Sequence, residues 1–221
     1  MFHKKSLLVA VVAVLVVVPV AHAAGGWTIG VNGGVSKPTG DLGKDLKVGP
    51  VAGIDICMHV NDQIAVGAEG SWTQSSHKDV GVVENIPGGG TYTLNEDKLK
   101  NISGGIHGKY MFPVGESKIS PYGLLGLGMY NVKEDYKETL VIPGSPDQVN
   151  TDESDGVKAE TRFGGKVAGG AVYKATEMVG ISLQAEYNIV TVDTAGAPAG
   201  TPSTFKFFGV RAGLSYNVMK K

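Results

Sequence analysis

The sequence predicts an all-β protein, an eight-stranded antiparallel up-and-down transmembrane β-barrel. Three observations support this fold. Apolar residues alternate with small or polar residues in one segment after another. The connections between these segments are alternately long and short. The longest uncharged stretch beyond the N-terminal region, residues 119–132, contains one proline and three glycines, so it is unsuited to a membrane-spanning helix.

Composition and charge exclude several classes of protein. The chain has 221 residues, of which 42% are hydrophobic and 19% charged, which excludes a wholly disordered protein. Twenty basic and 21 acidic side chains give a formal net charge of -1, and this balance does not favour nucleic-acid binding. The single cysteine, Cys57, excludes an internal disulfide and a Cys-rich zinc or redox motif, and we expect it to be a small filler inside the barrel.

The first element is an N-terminal signal peptide. Residues 3–5 form a basic start, residues 7–18 are an unbroken apolar run, and residues 21–23 read Ala-His-Ala, which fits a signal-peptidase site. The run is too short to span a bilayer as a helix. We therefore expect residues 1–23 to be removed and residues 24–221 to form one barrel domain.

Eight predicted strands follow, and in seven of them one face is clearly apolar. Their opposite faces are rich in Gly, Ser, Ala and Asn. The apolar positions of the first four strands are Trp27, Ile29, Val31 and Val35; Ala52, Ile54, Ile56, Met58 and Val60; Ile64, Val66, Ala68 and Trp72; and Ile102, Ile106, Tyr110 and Phe112. Those of the last three are Phe163, Val167, Ala171 and Tyr173; Ile181, Leu183, Ala185, Tyr187 and Ile189; and Phe208, Val210, Ala212, Leu214, Tyr216 and Val218. The fifth strand, 119–132, has leucines in both phases, so its facing stays open.

The connections predict a direction across the membrane. Short connections cover residues 61–63, 113–118 and 175–178. Long ones cover residues 37–49, 74–98, 133–159 and 192–203. Outer-membrane barrels have short turns on the periplasmic side and long loops outside the cell.

The main alternative at this point is a soluble, secreted barrel of the lipocalin type, which has the same number of strands. A soluble barrel needs a charge-rich outer face, whereas the polar phase here suits a crowded lumen. Aromatic residues also fall near the two strand ends, as expected for membrane-interface belts. The predicted belts are Trp27, Phe112, Tyr122, Tyr173 and Tyr216 at the short-turn end and Trp72, Tyr130, Phe163 and Phe205 at the long-loop end.

Two features resemble a known family. One is the pair of glycine-studded strands, with PYGLLGLG at residues 121–128 and GGKVAGG at residues 164–170. The other is the last strand, where Arg211, Gly213, Tyr216 and Val218 match the spacing of the signal read by the barrel-assembly machinery. On these residues the chain resembles the outer-membrane protein β-barrel domain family of Gram-negative bacteria, small porin-like proteins with the barrel of OmpX and OmpA. The family usually ends on an aromatic residue, whereas this chain continues through Met219, Lys220 and Lys221.

Charged residues in the polar phase predict a plug inside the lumen. Charges in a narrow barrel must be paired or hydrated, and three acids face three bases at similar predicted heights. We expect one mid-barrel layer of paired charges, with His107 and Gln184 as hydrogen-bonding partners. The six charged residues are Asp55, Glu69, Lys109, Lys166, Glu186 and Arg211.

Other chemistry is weakly indicated. Ser75, Ser76, His77 and Asp79 bring a hydroxyl, an imidazole and a carboxylate to the outer mouth, but such near neighbours on a loop are typical of solvated residues. The connection 133–159 carries seven acidic and three basic side chains, and its spacing does not match a calcium loop. We therefore predict no catalytic residues, no metal site and no cofactor.

The resulting prediction is a membrane-embedded scaffold with surface-exposed loops and a plugged lumen, because eight strands leave an interior only wide enough for side chains. A narrow channel or carrier for small hydrophobic molecules is the alternative, which a lumen lined by Leu125 and Leu127 would favour. A soluble lipocalin-like barrel is the second alternative. The expected partners are outer-membrane lipid, the barrel-assembly machinery and an extracellular molecule bound by the loops. We expect a monomer that binds no nucleic acid.

Overall fold

The computed structural model describes residues 26–40, 42–81, 83–86, 90–141, 160–191 and 204–218. The predicted signal peptide and its predicted cleavage site lie outside these ranges. The described residues form nine strands and one four-residue helix, α1, and no helix among them is long and apolar enough to cross a membrane. In chain order the elements are β1 Trp27–Thr39, α1 Leu42–Asp45, β2 Gly49–His59, β3 Ile64–Ser76, β4 Val83–Ile86, β5 Gly90–Met111, β6 Ile119–Val141, β7 Glu160–Lys174, β8 Val179–Thr191 and β9 Thr204–Asn217.

Eight of the strands close into a ring. The sheet order is β3-β2-β1-β9-β8-β7-β6-β5-β4, and pairing between β3 and β5 joins the two sides. Every pairing is antiparallel, and β1 pairs with β9 from Thr28 opposite Asn217 to Thr39 opposite Lys206. Closure satisfies the backbone groups that an open sheet edge would leave unpaired. The predicted eight-stranded antiparallel barrel is confirmed, and β4 is a short extra strand attached to β5 outside the ring.

Two strands, β5 and β6, are much longer than the sequence predicted. β5 begins at Gly90 and β6 ends at Val141, so parts of the connections predicted at 74–98 and 133–159 are strand. Their ladder runs without a break from Glu96 opposite Lys137 to Met111 opposite Tyr122. The apolar alternation stops at the edge of the apolar band, but backbone pairing continues beyond it. Hydrophobic pattern therefore marks where the membrane ends and not where the strand ends.

The faces of the strands agree with the predicted alternation. They also show which face of β6, the fifth predicted strand, points outward. In β6, Leu125 and Leu127 are 70% and 71% exposed on the outside of the barrel, while Tyr122 and Leu124 are buried inside. Exposed aliphatic side chains cover the outer surface of every strand in the ring. Such a surface would be unfavourable in water and suits the hydrocarbon of a bilayer. The soluble lipocalin-like alternative is contradicted by this outer surface.

The predicted aromatic belts need correction at three positions. Tyr122 and Tyr130 are buried in the lumen, and Phe205 packs against the buried cluster that contains Tyr130. These residues have the predicted height but occupy the inward phase of their strands. Phe112, Phe163, Tyr173, Tyr216 and Trp72 are exposed outside, as interface aromatics should be.

Glycines on β7 make room for the two inward tyrosines. A Cβ atom on Gly164 would lie 2.6 Å from the ring of Tyr130, and one on Gly170 would lie 2.8 Å from the Tyr122 hydroxyl. Each ring therefore covers a glycine on the neighbouring strand. This close approach gives a physical reason for the glycine-rich GGKVAGG segment.

Candidate functional site

Four of the six predicted lumen charges form one connected network. The Lys166 ammonium group hydrogen-bonds the Glu69 carboxylate and lies 3.7 Å from Glu186 Oε2. The Arg211 guanidinium group hydrogen-bonds Glu186 Oε1. The side chains of Glu186, Lys166 and Arg211 are 1%, 3% and 6% exposed, and that of Glu69 is 22% exposed. Burial removes most of the water that would otherwise screen these charges.

The network joins walls of the barrel that are not neighbours in the sheet. Glu69 lies on β3, Lys166 on β7, Glu186 on β8 and Arg211 on β9. All four positions belong to the inward phase of their strands. The Lys166 side chain therefore reaches across the lumen, and the contact connects residues 97 apart in the chain. This contact forms a side-chain bridge across the barrel interior.

Neutral side chains complete the hydrogen bonding around Glu186. Gln184 Nε2 donates to Glu186 Oε2 at 2.9 Å, and Asn188 Nδ2 donates to Oε1 at 3.2 Å. The hydroxyl groups of Tyr122 and Tyr130 donate in turn to Gln184 Oε1 at 2.9 Å and Asn188 Oδ1 at 3.0 Å. Each inward tyrosine is thus tied to a polar residue that orients Glu186. The sequence indicated Gln184 as a partner but did not indicate Asn188 or the tyrosines.

The other two predicted charges belong to a second group below the network. Asp55 Oδ2 and Lys109 Nζ lie 3.5 and 3.9 Å from Cys57 Sγ, and His107 Nε2 lies 3.2 Å from it. The Lys109 ammonium also sits 4.8 Å from the centre of the Tyr122 ring. The single predicted layer is therefore divided in two. His107 contacts Cys57 in this lower group, and Cys57 is buried as expected.

A layer of apolar side chains lies inside the barrel on the long-connection side of the network. It was not predicted, because the inward phase was expected to be polar throughout. Leu99, Val190 and Phe207 nevertheless stand in the inward phase of β5, β8 and β9, and that pattern was available in the sequence. The layer consists of Leu46, Leu99, Tyr130, Val132, Val190 and Phe207.

The first long connection contributes Leu46 to this layer. Backbone hydrogen bonds hold it against β3, from Lys47 N to Ser76 O at 2.7 Å and from Lys78 N to Asp45 O at 2.8 Å. Leu46 is 5% exposed as a result. A segment that the sequence indicated only as a loop thus helps to cover the barrel interior.

A small cavity lies on the short-turn side of the network. Its volume is about 130 Å³, and its lining includes Asp55, Cys57, His107, Lys109 and Tyr122. Residues of the short turn between β7 and β8 and the end of β9 also line it. A cavity of this volume that is lined by polar groups can hold a few water molecules. The part of the lumen below the network therefore has room for water, and side chains occupy the part above it.

The predicted serine, histidine and aspartate cluster does not assemble into a hydrogen-bonded triad within the described chain. Ser75 is buried on the inward face of β3, whereas Ser76 belongs to the opposite phase. His77 Nδ1 lies 4.0 Å from Asp79 Oδ2 and has no hydrogen-bond partner. The geometry lacks the base-orienting contact that nucleophile activation requires.

Metal ligands are also not grouped in the parts of the chain that the structure describes. Those parts contain no cluster of three or more His, Cys, Asp or Glu side chains able to hold a metal ion. Asp152, Glu153 and Asp155, three of the acidic residues in the connection 133–159, lie outside the described residues.

The last strand has a clear division of faces. Arg211 and Gly213 point inward, where Arg211 is held by Glu186. Tyr216 and Val218 are exposed on the outer surface near the short-turn end. The residues that match the insertion signal therefore include one that is also part of the lumen network.

Outside the barrel, a group of charges stands above the apolar band. Lys100 Nζ lies 2.5 Å from Asp135 Oδ2, and Lys133 Nζ lies 2.8 Å from Asp135 Oδ1. Lys98, also in the outward phase of β5, is opposite Asp135 in the ladder. Hydrogen bonds from Lys100 and Lys133 lower the pKa of the Asp135 carboxyl group to about 2.

The lowered pKa gives a testable pH dependence. Because the pKa of this carboxyl group is lower in the folded protein than in the unfolded chain, its ionisation stabilises the fold at pH values above about 4, the ordinary pKa of an aspartate. The stabilisation is lost as the pH falls through the folded-state pKa. We expect the Asp135 carboxyl carbon to titrate near pH 2 by NMR, and Lys100→Ala to raise that midpoint. A wild-type midpoint near 4 would contradict the ion pairs.

The chain is similar to several solved structures, and the similarity to the first of them agrees with the barrel architecture. The chain is similar to neisserial surface protein A, NspA, with a TM-score of 0.55 and 14% identity over 86% of this chain and 96% of that chain. It is also similar to OprG of Pseudomonas aeruginosa, with a TM-score of 0.49 and 14% identity over 89% and 97%. For Ail, the attachment invasion locus protein of Yersinia pestis, the TM-score is 0.44 and the identity 15% over 87% and 99%.

No curated protein matches the chain in sequence. The family comparison is more informative, because the model of the outer membrane protein beta-barrel domain matches residues 7–217, which is nearly the whole chain. With its closed ring of eight strands and its apolar outer surface, this chain belongs to the outer membrane protein beta-barrel domain family.

Proposed function

We propose that the barrel is a membrane-embedded scaffold in a Gram-negative outer membrane, with a plugged lumen and a binding activity carried by its outer loops. The observation that carries the proposal is the buried network of Glu69, Lys166, Glu186 and Arg211 across the lumen. The apolar layer next to it supports the same conclusion. A barrel closed by two layers of side chains is suited to presenting surfaces and poorly suited to passing solutes.

The carrier alternative receives less support. A hydrophobic solute would need an apolar path through the barrel, and Leu125 and Leu127 would have lined it. Both leucines face outward. The remaining inward leucine of that segment, Leu124, packs with Tyr122 and Ala168. A non-enzymatic role is also part of the proposal, and the separation of Ser75, Ser76 and His77 supports it.

Conductance tests the plugged lumen directly. In planar bilayers, we expect the refolded mature protein to show no steady ion conductance, since ions would have to displace buried, paired charges. A general porin in the same bilayer preparation serves as the positive control. Large and steady openings of the wild-type barrel would overturn the plug.

Processing and location follow from the signal peptide and the apolar outer surface. We expect the mature protein to begin at Ala24 and to sediment with outer membranes. N-terminal sequencing of the membrane fraction provides the measurement. Retention of Met1, or a fully soluble periplasmic product, would contradict this part of the proposal.

Orientation and partners complete the proposal. Short turns face the periplasm and long connections face outward, as in other barrels of this kind. Insertion involves the barrel-assembly machinery acting on the last strand, from Arg211 to Val218. The barrel acts as a monomer, and its extracellular partner binds the loops. The acidic connection 133–159 is the strongest candidate for that contact, because it concentrates negative charge in one segment.

A further inference from the structure

Two charged residues of the lower group lack the ion pairs that the sequence predicted for them. The Lys109 ammonium group contacts Cys57 Sγ at 3.9 Å and the Tyr122 ring at 4.8 Å from its centre, and no carboxylate of the described residues lies within ion-pair distance of it. Asp55 contacts Cys57 Sγ at 3.5 Å and has no cationic partner in the same part of the chain. An ammonium group inside a barrel that no carboxylate compensates requires water or an anion.

Strand geometry separates Asp55 from Lys109. Asp55 on β2 is directly opposite Gly30 on β1, and a Cβ atom on Gly30 would overlap Asp55 Oδ1. The carboxylate therefore occupies the space that the glycine leaves beside β1. Lys109 lies on β5, which is on the other side of β3. The missing side chain of Gly30 thus keeps the acid away from the base.

The cavity on the short-turn side of the network brings Lys109 together with a second lysine. Lys174, the last residue of β7, lines the same cavity and is exposed at the short-turn end. Its side chain forms no hydrogen bond or ion pair with the described residues. Three bases and two acids line the cavity, which gives the lining a net charge of +1 apart from its histidines; they are Lys109, Lys174, Arg211, Asp55 and Glu69.

Hydroxyl groups in the lining have unused donors. The Ser182 hydroxyl forms no hydrogen bond with other described residues. Thr176 Oγ1 accepts hydrogen bonds from the backbone N–H groups of Met178 and Val179, so its own proton is free to be donated. Hydroxyl and ammonium groups together suit the oxygens of an anion. The volume of about 130 Å³ is close to that of engineered cavities that bind benzene, so it admits an anion of about six non-hydrogen atoms.

We infer that this cavity is a binding site for a small oxyanion, a carboxylate or a phosphate, that enters from the short-turn side. The anion compensates the charge of Lys109 and accepts hydrogen bonds from Ser182 and Thr176, and Lys174 attracts it at the mouth. Arg211 belongs to the upper boundary of the cavity, where it stays paired in the network. In the proposed orientation the mouth faces the periplasm. The inference rests on that orientation and adds a periplasmic ligand site to the plugged scaffold.

Histidine NMR measures the binding, because histidines lie at both ends of the barrel. Without residues 1–23, the chain contains His59, His77 and His107. His59 and His107 line the cavity, whereas His77 pairs with Leu46 at the long-connection end. The refolded mature protein in detergent micelles is titrated with inorganic phosphate and with acetate at constant pH and sodium concentration, and chloride is the reference anion. We expect the ring signals of His59 and His107 to shift to saturation and that of His77 to stay unchanged.

Four substitutions distinguish a site from a general salt effect. Lys109→Gln removes a charged hydrogen-bond donor, so we expect it to weaken anion binding about tenfold. Lys174→Gln, at the exposed mouth, should weaken binding several-fold, and it tests the site even if Lys109→Gln does not fold. Asp55→Asn should tighten binding several-fold, because it removes a carboxylate from the lining. Lys118→Gln, at an exposed short-turn lysine outside the lining, is the matched control and should leave binding unchanged.

Heat-dependent gel mobility checks that each variant is folded. Saturable binding of either probe supports the inference, and the probe that binds more tightly identifies the anion as a phosphate or a carboxylate. The absence of a saturable shift with both probes would overturn it. So would an equal effect of chloride, a parallel shift of His77, or folded lysine variants that bind like the wild type. The scaffold proposal fails on different results, namely steady conductance or a soluble product, so the two failures are distinguishable.

Discussion

Replacing Arg211 with alanine is expected to lower the free energy of unfolding by about 3 to 5 kcal/mol, the cost of breaking a buried ion pair by removing one partner. Glu186 would lose one of its two cationic partners at a site where its side chain is 1% exposed. Lys166 remains 3.7 Å from Glu186, and Gln184 and Asn188 still donate hydrogen bonds to it. These contacts compensate only in part, because Lys166 is also engaged with Glu69.

The measurement is the midpoint of urea unfolding of the refolded barrel. Unfolding is monitored by heat-dependent gel mobility and by tryptophan fluorescence. A double variant, Arg211→Met with Glu186→Gln, removes both charges, and we expect it to recover a large part of the lost stability. Lys118→Ala, on the exposed short turn, is the control for loss of a lysine without burial. An Arg211→Ala midpoint equal to that of the wild type would mean that the pair is not buried inside the barrel.

Strand alternation explains why so much of the fold was predictable. Because side chains in a strand alternate between two faces, an apolar outer surface leaves a period of two that is visible without a structure. β8 shows this clearly, with Ile181, Leu183 and Ile189 exposed outside and Glu186 buried inside. β6 was less predictable, because both Leu124 and Leu125 fit an apolar face. Only its pairing with β5 and β7 fixes which of them points inward.

The sequence predicts which residues belong to the candidate site, but not which of them contact one another. An inward charge at Glu186 or Arg211 follows from alternation alone. Which acid meets which base depends on the tilt and stagger of the strands, and these are properties of the closed ring. Lys166 therefore contacts Glu69 across the lumen, whereas Lys109 contacts Cys57 in the lower group. No local pattern in the sequence carries that information.

Removing the acidic connection should separate folding from function. The structure provides a suitable junction, because Val132 on β6 and Glu160 on β7 are directly opposite each other in the ladder. Residues 133–159 can therefore be replaced by Asn-Gly, the pair preferred in two-residue hairpin turns. The deletion removes the part of β6 that follows Val132 and pairs with β5. β5 remains paired with β3 as far as Ser76 opposite Lys98.

The fourth long connection, residues 192–203, offers a control deletion. Thr191 and Thr204 are also directly opposite each other, so residues 192–203 can be replaced by the same Asn-Gly turn. That connection contains a single acidic residue, compared with seven in 133–159. Both deletions join two directly opposed strand residues by the same turn. Only the 133–159 deletion removes the concentrated negative charge, and it also removes the part of β6 from 133 to 141.

We expect both deletion variants to fold and insert, because pairing around the ring satisfies the strand backbone without the loops and long loops contribute little to stability. Binding to cells, matrix proteins and divalent cations should be lost in the 133–159 deletion and retained in the 192–203 deletion. The 133–159 deletion also removes Lys133. The Lys133→Gln variant of the otherwise intact protein tests whether loss of this lysine alone abolishes binding. If the 133–159 deletion fails to insert, this connection is structural. If it inserts and every binding readout survives, the extracellular activity resides in another loop.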